Sequence, residues 1–193
     1  MGLILASGSP RRRTLLQLSG IPIAAVVPAD IDESRRPGED PITYARRLAV
    51  EKAAARPHDS AWTLAADTIV HIDSTLFGKP ETPEQAAAFL TQLSGRWHEV
   101  TTAWCLQRGG QRFHEHTTTR VRFRDLDPVT IDNYVATGES ADKAGGYGIQ
   151  GLGSVLIAEL HGSYTNVVGL PLVPVLAALQ SVGITPTAGG SLA

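Results

Sequence analysis

Leu3-Ile4-Leu5-Ala6-Ser7-Gly8-Ser9-Pro10, close to the start of the chain, predicts a short buried strand that passes directly into a helix. The apolar residues at its start are typical of an interior strand. Ser9 suits the N-cap of the helix, and Pro10 suits its first position because a proline has no N–H to leave unpaired there. The helix is expected to run on to Gly20. A strand followed at once by a helix favours an α/β protein.

The same alternation of strand and helix patterns continues along the chain. Helices are predicted from about Ile42 to Ala55, from Thr82-Pro83 to Gly95, from Asp127-Pro128 to near Gly138, and from about Pro171 to near Gly183. Strands are predicted over Thr63 to Ile72, Val100 to Leu106, Arg112 to Phe123 and Val155 to Leu160, with Gly109-Gly110 as a hairpin turn. We therefore expect a single α/β domain over residues 1–185, followed by a flexible tail over residues 186–193.

Composition and charge exclude several classes of protein. The 193 residues are 42% hydrophobic and 19% charged, which excludes intrinsic disorder. No apolar run approaches the roughly 20 residues of a membrane span, and no secretory signal is expected. A net charge of -2 disfavours nucleic-acid binding. Cys105 is the single cysteine, so an intrachain disulfide and a structural zinc site are excluded, and a reducing cytoplasm is expected.

Three consecutive arginines, Arg11, Arg12 and Arg13, fall in the first turn of the first helix. The helix dipole disfavours cations at this end by up to about 1 kcal/mol each. A bound anion would reverse that effect, because helix N-termini and guanidinium groups both favour phosphate. No P-loop or dinucleotide fingerprint is present, so a solvated basic helix start and a phosphate site both remain open.

Two charged residues stand in apolar surroundings. Lys52 shares a helix face with alanines and a leucine, and its ammonium either reaches water past the helix edge or neutralises a phosphate in a cleft. Asp67 interrupts an apolar strand, where an unpaired carboxylate would cost several kcal/mol. It is therefore a structural residue satisfied by backbone N–H groups, or a metal ligand or general base. If Lys52 serves only the substrate, its removal should leave the ligand-free protein equally or more stable.

Two other charged segments are ambiguous by themselves. Lys79 lies in the turn Phe77-Gly78-Lys79-Pro80 and would ordinarily be a surface lysine. Asp30, Asp32 and Glu33 form an acidic cluster that is typical of a loop.

Six blocks of sequence, taken together and in order, resemble the Maf family of nucleoside triphosphate pyrophosphatases. They extend from about residue 3 to residue 175 and are Ala6-Ser7-Gly8-Ser9-Pro10-Arg11-Arg12, Ala66-Asp67-Thr68-Ile69-Val70, Gly78-Lys79-Pro80, Leu93 to Thr101, Asp142 to Gly151, and Asn166 to Leu172. The resemblance implies a mixed, bent sheet flanked by helices around a deep central cleft, as in the inosine triphosphate pyrophosphatase (Maf/Ham1) architecture. It also implies a homodimer, while the charge balance and the lack of a long apolar run argue against a nucleic-acid or membrane partner.

The implied reaction is hydrolysis of a nucleoside triphosphate to the monophosphate and pyrophosphate. The block from Asp142 to Gly151 resembles the branch that acts on dTTP and UTP, and modified pyrimidine triphosphates are possible substrates. Two alternatives stay open: a nucleotide-binding regulatory protein linked to septum formation and cell division, and a pyrophosphatase for a modified purine nucleotide. Pyrophosphate release separates an enzyme from a sensor.

The resemblance also implies roles for individual residues. Asp67 is expected to accept the proton, with Lys52 and Lys79 as catalytic cations. Substrate binding is expected from Ser7, Arg11, Arg12, Thr68 and Gln150. Glu33 and Asp67 are the expected ligands of a divalent metal, with Mg²⁺ favoured by their oxygen atoms and Mn²⁺ or Co²⁺ as alternatives.

Overall fold

The computed structural model describes residues 2–57 and 60–187, so the expected tail falls outside the described residues from position 188 onward. Within those ranges the helices are α1 Pro10–Leu18, α2 Pro41–Ala54, α3 Pro83–Leu93, α4 Pro128–Ala136, α5 Tyr164–Val168 and α6 Leu172–Ser181. The strands are β1 Gly2–Leu5, β2 Ile23–Val26, β3 Ala61–Ile72, β4 Thr75–Phe77, β5 Trp97–Arg108, β6 Gln111–Phe123 and β7 Ile157–His161.

The strands form a mixed sheet in the order β2-β1-β3-β5-β6-β7, with β4 also paired to β3. β1 runs parallel to β2 and to β3, whereas β4 is antiparallel to β3 and β7 is antiparallel to β6. Parallel strands joined through helices are the pattern that the opening strand and helix predict. The α/β class and the mixed sheet with helices are therefore confirmed, while the deep cleft stays a prediction.

The chain divides into two compact units. The first unit comprises Met1–Asp67, Thr102–Thr117 and Gly169–Ala193, and the second comprises Thr68–Thr101 and Thr118–Val168. The single domain over residues 1–185 stays a prediction. None of the helices within the described part of the chain is long and apolar enough to cross a membrane.

The first unit is built around β1, which pairs from Gly2 to Leu5 with Ala61 to Leu64 of β3. Leucines from both strands and from α1 and α2 are fully buried, namely Leu3, Leu5, Leu16, Leu48 and Leu64. α1 begins as expected, because the Ser9 side chain accepts the N–H of Arg12 and Pro10 occupies the first position. α2 is capped by Asp40, which accepts the N–H of Thr43, and this cap is one that the sequence analysis missed.

The second unit has its own apolar core. Its fully buried members come from α3, β5, β6 and the segment before β7, and include Leu90, Leu93, Val121, Phe123 and Leu156. α3 and α4 begin where predicted, and there Thr82 and Asp127 accept the N–H groups of Gln85 and Thr130. Both α3 and α4 contribute residues to this core.

Several strand boundaries differ from the predictions, and the starts of β7 and β5 show why. The strand expected over Val155 to Leu160 begins only at Ile157, because Gly151–Leu156 forms a 3₁₀ turn in a glycine-rich loop. β5 begins at Trp97 rather than at Val100. The polar residues His98 and Glu99 interrupt the apolar pattern, so the sequence does not indicate that the strand begins before them. The Gly109-Gly110 hairpin between β5 and β6 is confirmed.

Candidate active site

Lys52 lies between two carboxylates in the first unit. Its Nζ is 2.6 Å from Oδ1 of Asp67 and 3.0 Å from Oε1 of Glu33. The helical face of Lys52 is buried, as the sequence pattern predicts, and Lys52 itself is only 8% exposed. Its ammonium therefore does not reach past the helix edge into water, and it is paired inside the protein instead.

Asp67 is the buried partner of Lys52. It is 8% exposed, and the four residues before it in β3 are buried as well. Because a lone carboxylate in this setting would be costly, the ion pair with Lys52 accounts for the charge at this position. A carboxylate can also accept a proton from a water molecule within hydrogen-bond reach, which is the role expected of Asp67.

Glu33 stands on an irregular segment between β2 and α2, and its side chain is 54% exposed. Tyr44 donates a hydrogen bond to the Glu33 carbonyl at 2.8 Å, and Arg47 donates to the Ser34 carbonyl at 2.9 Å. Arg47 also binds both carboxylate oxygens of Glu39, at 2.7 and 2.9 Å, and this lowers the pKa of Glu39 to about 2. Two side chains of α2 therefore hold the segment that carries Glu33.

Tyr44, Arg47 and Glu39 are site-supporting residues that the sequence analysis missed. Arg47 binds Glu39 and the Ser34 carbonyl in the irregular segment before α2, and it also binds Glu51 of the helix itself. Burial raises the pKa of Tyr44, and the negative charges of Asp67 and Glu33 add to that shift. No motif in the sequence signals these contacts, because they join residues of a helix to an irregular loop.

Arg12 lies at the junction of β1 and α1, where a phosphate site was one of two possibilities. Its guanidinium donates to Ser7 Oγ at 3.0 Å and to the Gly169 carbonyl at 2.8 Å. Burial lowers the pKa of Arg12, and the negative charge of Asp67 opposes that shift. Ser7 is buried, and Arg11 is half-buried beside Arg12. The structure thus brings Ser7 and Arg12 together within the electrostatic reach of Asp67.

Thr68, Lys79 and Gln150 belong to the second unit. Thr68 is half-buried in β3, whereas Lys79 and Gln150 are exposed in loops. The Gly78 carbonyl accepts the N–H of Gly145 at 3.0 Å, so the turn that carries Lys79 is tied to the glycine-rich loop that leads to Gln150. Gly145 has φ of 75°, and a Cβ there would lie 3.0 Å from the Val70 side chain, so glycine is required at this contact.

The carboxylates that contact Lys52 are the expected ligands of a divalent metal. Glu33 and Asp67 both reach one ammonium, so their oxygen atoms already converge on a single cation. The described residues contain no group of three or more histidine, cysteine, aspartate or glutamate side chains that could hold a metal by themselves. Two carboxylates completed by substrate phosphates are nevertheless a usual set for Mg²⁺, so these residues fit that ion.

Proteins with assigned names are similar to this chain over most of its length. A dTTP/UTP pyrophosphatase from Methylococcus capsulatus is 47% identical over 186 residues, which are 94% of this chain and 91% of that protein. A dTTP/UTP pyrophosphatase from Alcanivorax borkumensis is 47% identical over 175 residues, covering 89% of this chain and 91% of the relative. A third, from Syntrophomonas wolfei, is 48% identical and covers 87% and 90%.

The chain is also similar to a solved structure, of a HAM1 protein from Coxiella burnetii, with 17% identity and a TM-score of 0.45. This match covers 64% of this chain and 73% of the HAM1 chain. The model of the family described as Maf-like protein matches residues 2–182. With this match and with relatives nearly half identical along most of their length, the chain belongs to the Maf family.

Proposed function

We propose that this protein hydrolyses dTTP and UTP to the nucleoside monophosphate and pyrophosphate. The observation that carries the proposal is the buried Asp67 carboxylate, held by Lys52 in an otherwise apolar strand with Glu33 on the same ammonium. Relatives named dTTP/UTP pyrophosphatase, which are 47–48% identical over most of this chain, support the choice of substrate.

In the proposed reaction, a water oxygen forms a bond to the α-phosphorus. The bond from that phosphorus to the oxygen bridging it to the β-phosphorus breaks, and pyrophosphate leaves with the electron pair. The proton of the water passes to the Asp67 carboxylate. Lys52, Lys79, Arg11 and Arg12 are proposed to balance the charge of the triphosphate, since phosphoryl transfer depends chiefly on positioning and charge neutralisation.

A divalent cation, with Mg²⁺ as the first choice and Mn²⁺ or Co²⁺ as alternatives, is proposed as cofactor. Glu33 and Asp67 would hold it, and when bound it would supply charge neutralisation and activation of water. In this proposal Ser7 and Arg12 bind phosphate oxygens. Thr68 and Gln150 are proposed to recognise the base, because a carboxamide can satisfy both the donor and the acceptor of the uracil edge.

We also propose that the protein is a cytoplasmic homodimer with no nucleic-acid or membrane partner. The single buried cysteine, Cys105, and the family resemblance support this assignment. Light scattering after size-exclusion chromatography measures the oligomeric state directly.

The test of the proposed function is pyrophosphate release from canonical and modified nucleoside triphosphates in the presence of Mg²⁺. We expect dTTP and UTP to give comparable kcat/KM and CTP, ATP and GTP to give far lower values. Asp67→Asn keeps the shape of the side chain but removes the proton acceptor, and it should lower kcat by at least about 100-fold with folding retained. Binding of UTP without pyrophosphate release would instead favour a nucleotide sensor, and preference for a purine would contradict the substrate choice.

A further inference from the structure

Gln150 stands in the middle of a short loop, from Gly148 to Gly153, at the start of the 3₁₀ turn before β7. The residue is exposed, and its backbone sets the point and the direction from which its side chain extends. Whatever fixes that backbone therefore fixes where a carboxamide at position 150 is presented. The structure holds the loop on both sides of Gln150.

Glu139, in the segment after α4, holds the side of the loop that follows Gln150. Its Oε2 accepts the N–H of Leu152 at 3.0 Å, and its Oε1 accepts the N–H of Gly153 at 3.0 Å. These two amides lie two and three residues beyond Gln150. Hydrogen bonds from backbone N–H groups to an ionised carboxylate are stronger than those between neutral groups.

Tyr134 connects the same carboxylate to the side of the loop that precedes Gln150. Its hydroxyl donates to Oε1 of Glu139 at 3.1 Å and accepts the N–H of Gly148 at 3.2 Å. Tyr134 is buried in the core of the second unit, and burial raises its pKa, so the phenol stays protonated and available as a donor. Glu139 and Tyr134 together therefore bind three backbone amides around Gln150.

The glycines of the loop are required by this close packing. A Cβ on Gly151, which has φ of 67°, would lie 2.9 Å from Oε2 of Glu139. A Cβ on Gly153 would overlap the Gly148 carbonyl oxygen and would approach the Tyr134 hydroxyl to 2.9 Å. The loop thus closes tightly around the Glu139 carboxylate, and the spacing of its glycines is explained by that contact.

We propose that Glu139 is a positioning residue for base selection: its carboxylate fixes the Gly148 to Gly153 loop and thereby the presentation of Gln150. This inference rests on the proposed function, because it takes Gln150 as the residue that reads the pyrimidine base. Glu139 does not itself touch the substrate in this assignment. It acts through the backbone, so its loss should affect discrimination between bases more than it affects turnover.

Glu139→Gln is the first test, because it keeps the size of the side chain and removes its charge. We expect amide exchange of Leu152 and Gly153 to rise by about tenfold or more, as charge-assisted hydrogen bonds are lost. The ratio of kcat/KM for UTP to that for CTP should fall by about tenfold, chiefly through a higher KM for UTP. Glu139→Asp keeps the charge but shortens the reach, and we expect intermediate values for both measurements.

A double-mutant cycle with Gln150→Ala tests whether Glu139 acts through Gln150. In the Gln150→Ala background, Glu139→Gln should change the UTP to CTP ratio little further, because the two residues act as a unit. Thr82→Ala is the matched control, since it removes the cap of α3 and lowers stability without touching the loop. It should leave both the exchange of the loop amides and the substrate ratio as they are in wild type.

The outcomes separate this inference from the proposed function. A wild-type protein with no preference for UTP over CTP would overturn the proposed base choice and this inference together. A clear wild-type preference that Glu139→Gln leaves intact would overturn this inference alone. Unchanged amide exchange in Glu139→Gln, or a full additional effect in the Gln150→Ala background, would also overturn it.

Discussion

At the scale of single residues, the two charges in apolar surroundings identified the candidate site. The sequence indicates Lys52 by its helix face and Asp67 by its strand, and the structure pairs the two at 2.6 Å. The sequence could not predict that pairing, because it depends on how α2 lies against β3. The sequence also left open whether backbone N–H groups satisfy the Asp67 carboxylate. In the structure its partner is the Lys52 ammonium.

The pairing reverses the stability expected for variants of Lys52. If only a substrate compensated the charge of Lys52, its removal would leave the stability unchanged or raise it. Because Asp67 is buried and Lys52 is its partner, Lys52→Met should instead lower the free energy of unfolding by about 3 kcal/mol. Urea denaturation at neutral pH measures this change.

The control for that variant is the double substitution Lys52→Met with Asp67→Asn. It removes the buried carboxylate along with its partner, so most of the lost stability should return. If the Lys52→Met protein were as stable as wild type, the ion pair with Lys52 would not be what compensates the buried charge of Asp67.

At the scale of elements, the helix starts were the most predictable features. Ser9, Thr82 and Asp127 all cap helices at the positions that their sequences indicate, because capping is a local interaction. The 3₁₀ turn before β7 was not predicted, because Val155 and Leu156 favour a strand locally. Closure of the glycine loop onto Glu139, which is distant in sequence, overrides that preference.

The irregular segment before α2 is the element whose position the sequence could least predict. It carries Glu33, and it is held by Arg47 through Glu39 and the Ser34 carbonyl. Arg47→Leu should therefore loosen the segment while leaving Glu33 in the chain. If Glu33 is a metal ligand as proposed, the Mg²⁺ concentration for half-maximal pyrophosphate release should rise by about tenfold, the usual scale for groups that support ligands.

Arg46, the exposed neighbour of Arg47 on α2, provides the matched control. Arg46→Leu removes the same charge from the same helix without breaking the contacts to Glu39 and Ser34. We expect its Mg²⁺ dependence to match that of wild type. An equal shift in both variants would indicate a general loss of charge rather than loss of the contacts that hold the segment.

At the scale of the whole molecule, a buried histidine links stability to pH. His98 is 2% exposed in β5, its Nε2 lies 2.6 Å from the Tyr147 hydroxyl, and burial lowers its pKa from 6.5 to about 4. Between these values the unfolded chain binds a proton that the folded protein does not. The contribution of neutral His98 to the free energy of unfolding is therefore complete above pH 6.5, and it decreases as the pH falls toward 4.

The decrease should amount to about 3 kcal/mol across that window, since each pKa unit corresponds to about 1.4 kcal/mol. Glu39 acts in a different range, because its pKa is lowered and its contribution is lost only as the pH falls below 4.5 toward 2. Urea midpoints between pH 7.5 and 4.5 therefore report mainly on His98. His98→Gln does not titrate, so its midpoint should vary much less over this range, and a slope equal to that of wild type would assign the pH dependence to another group.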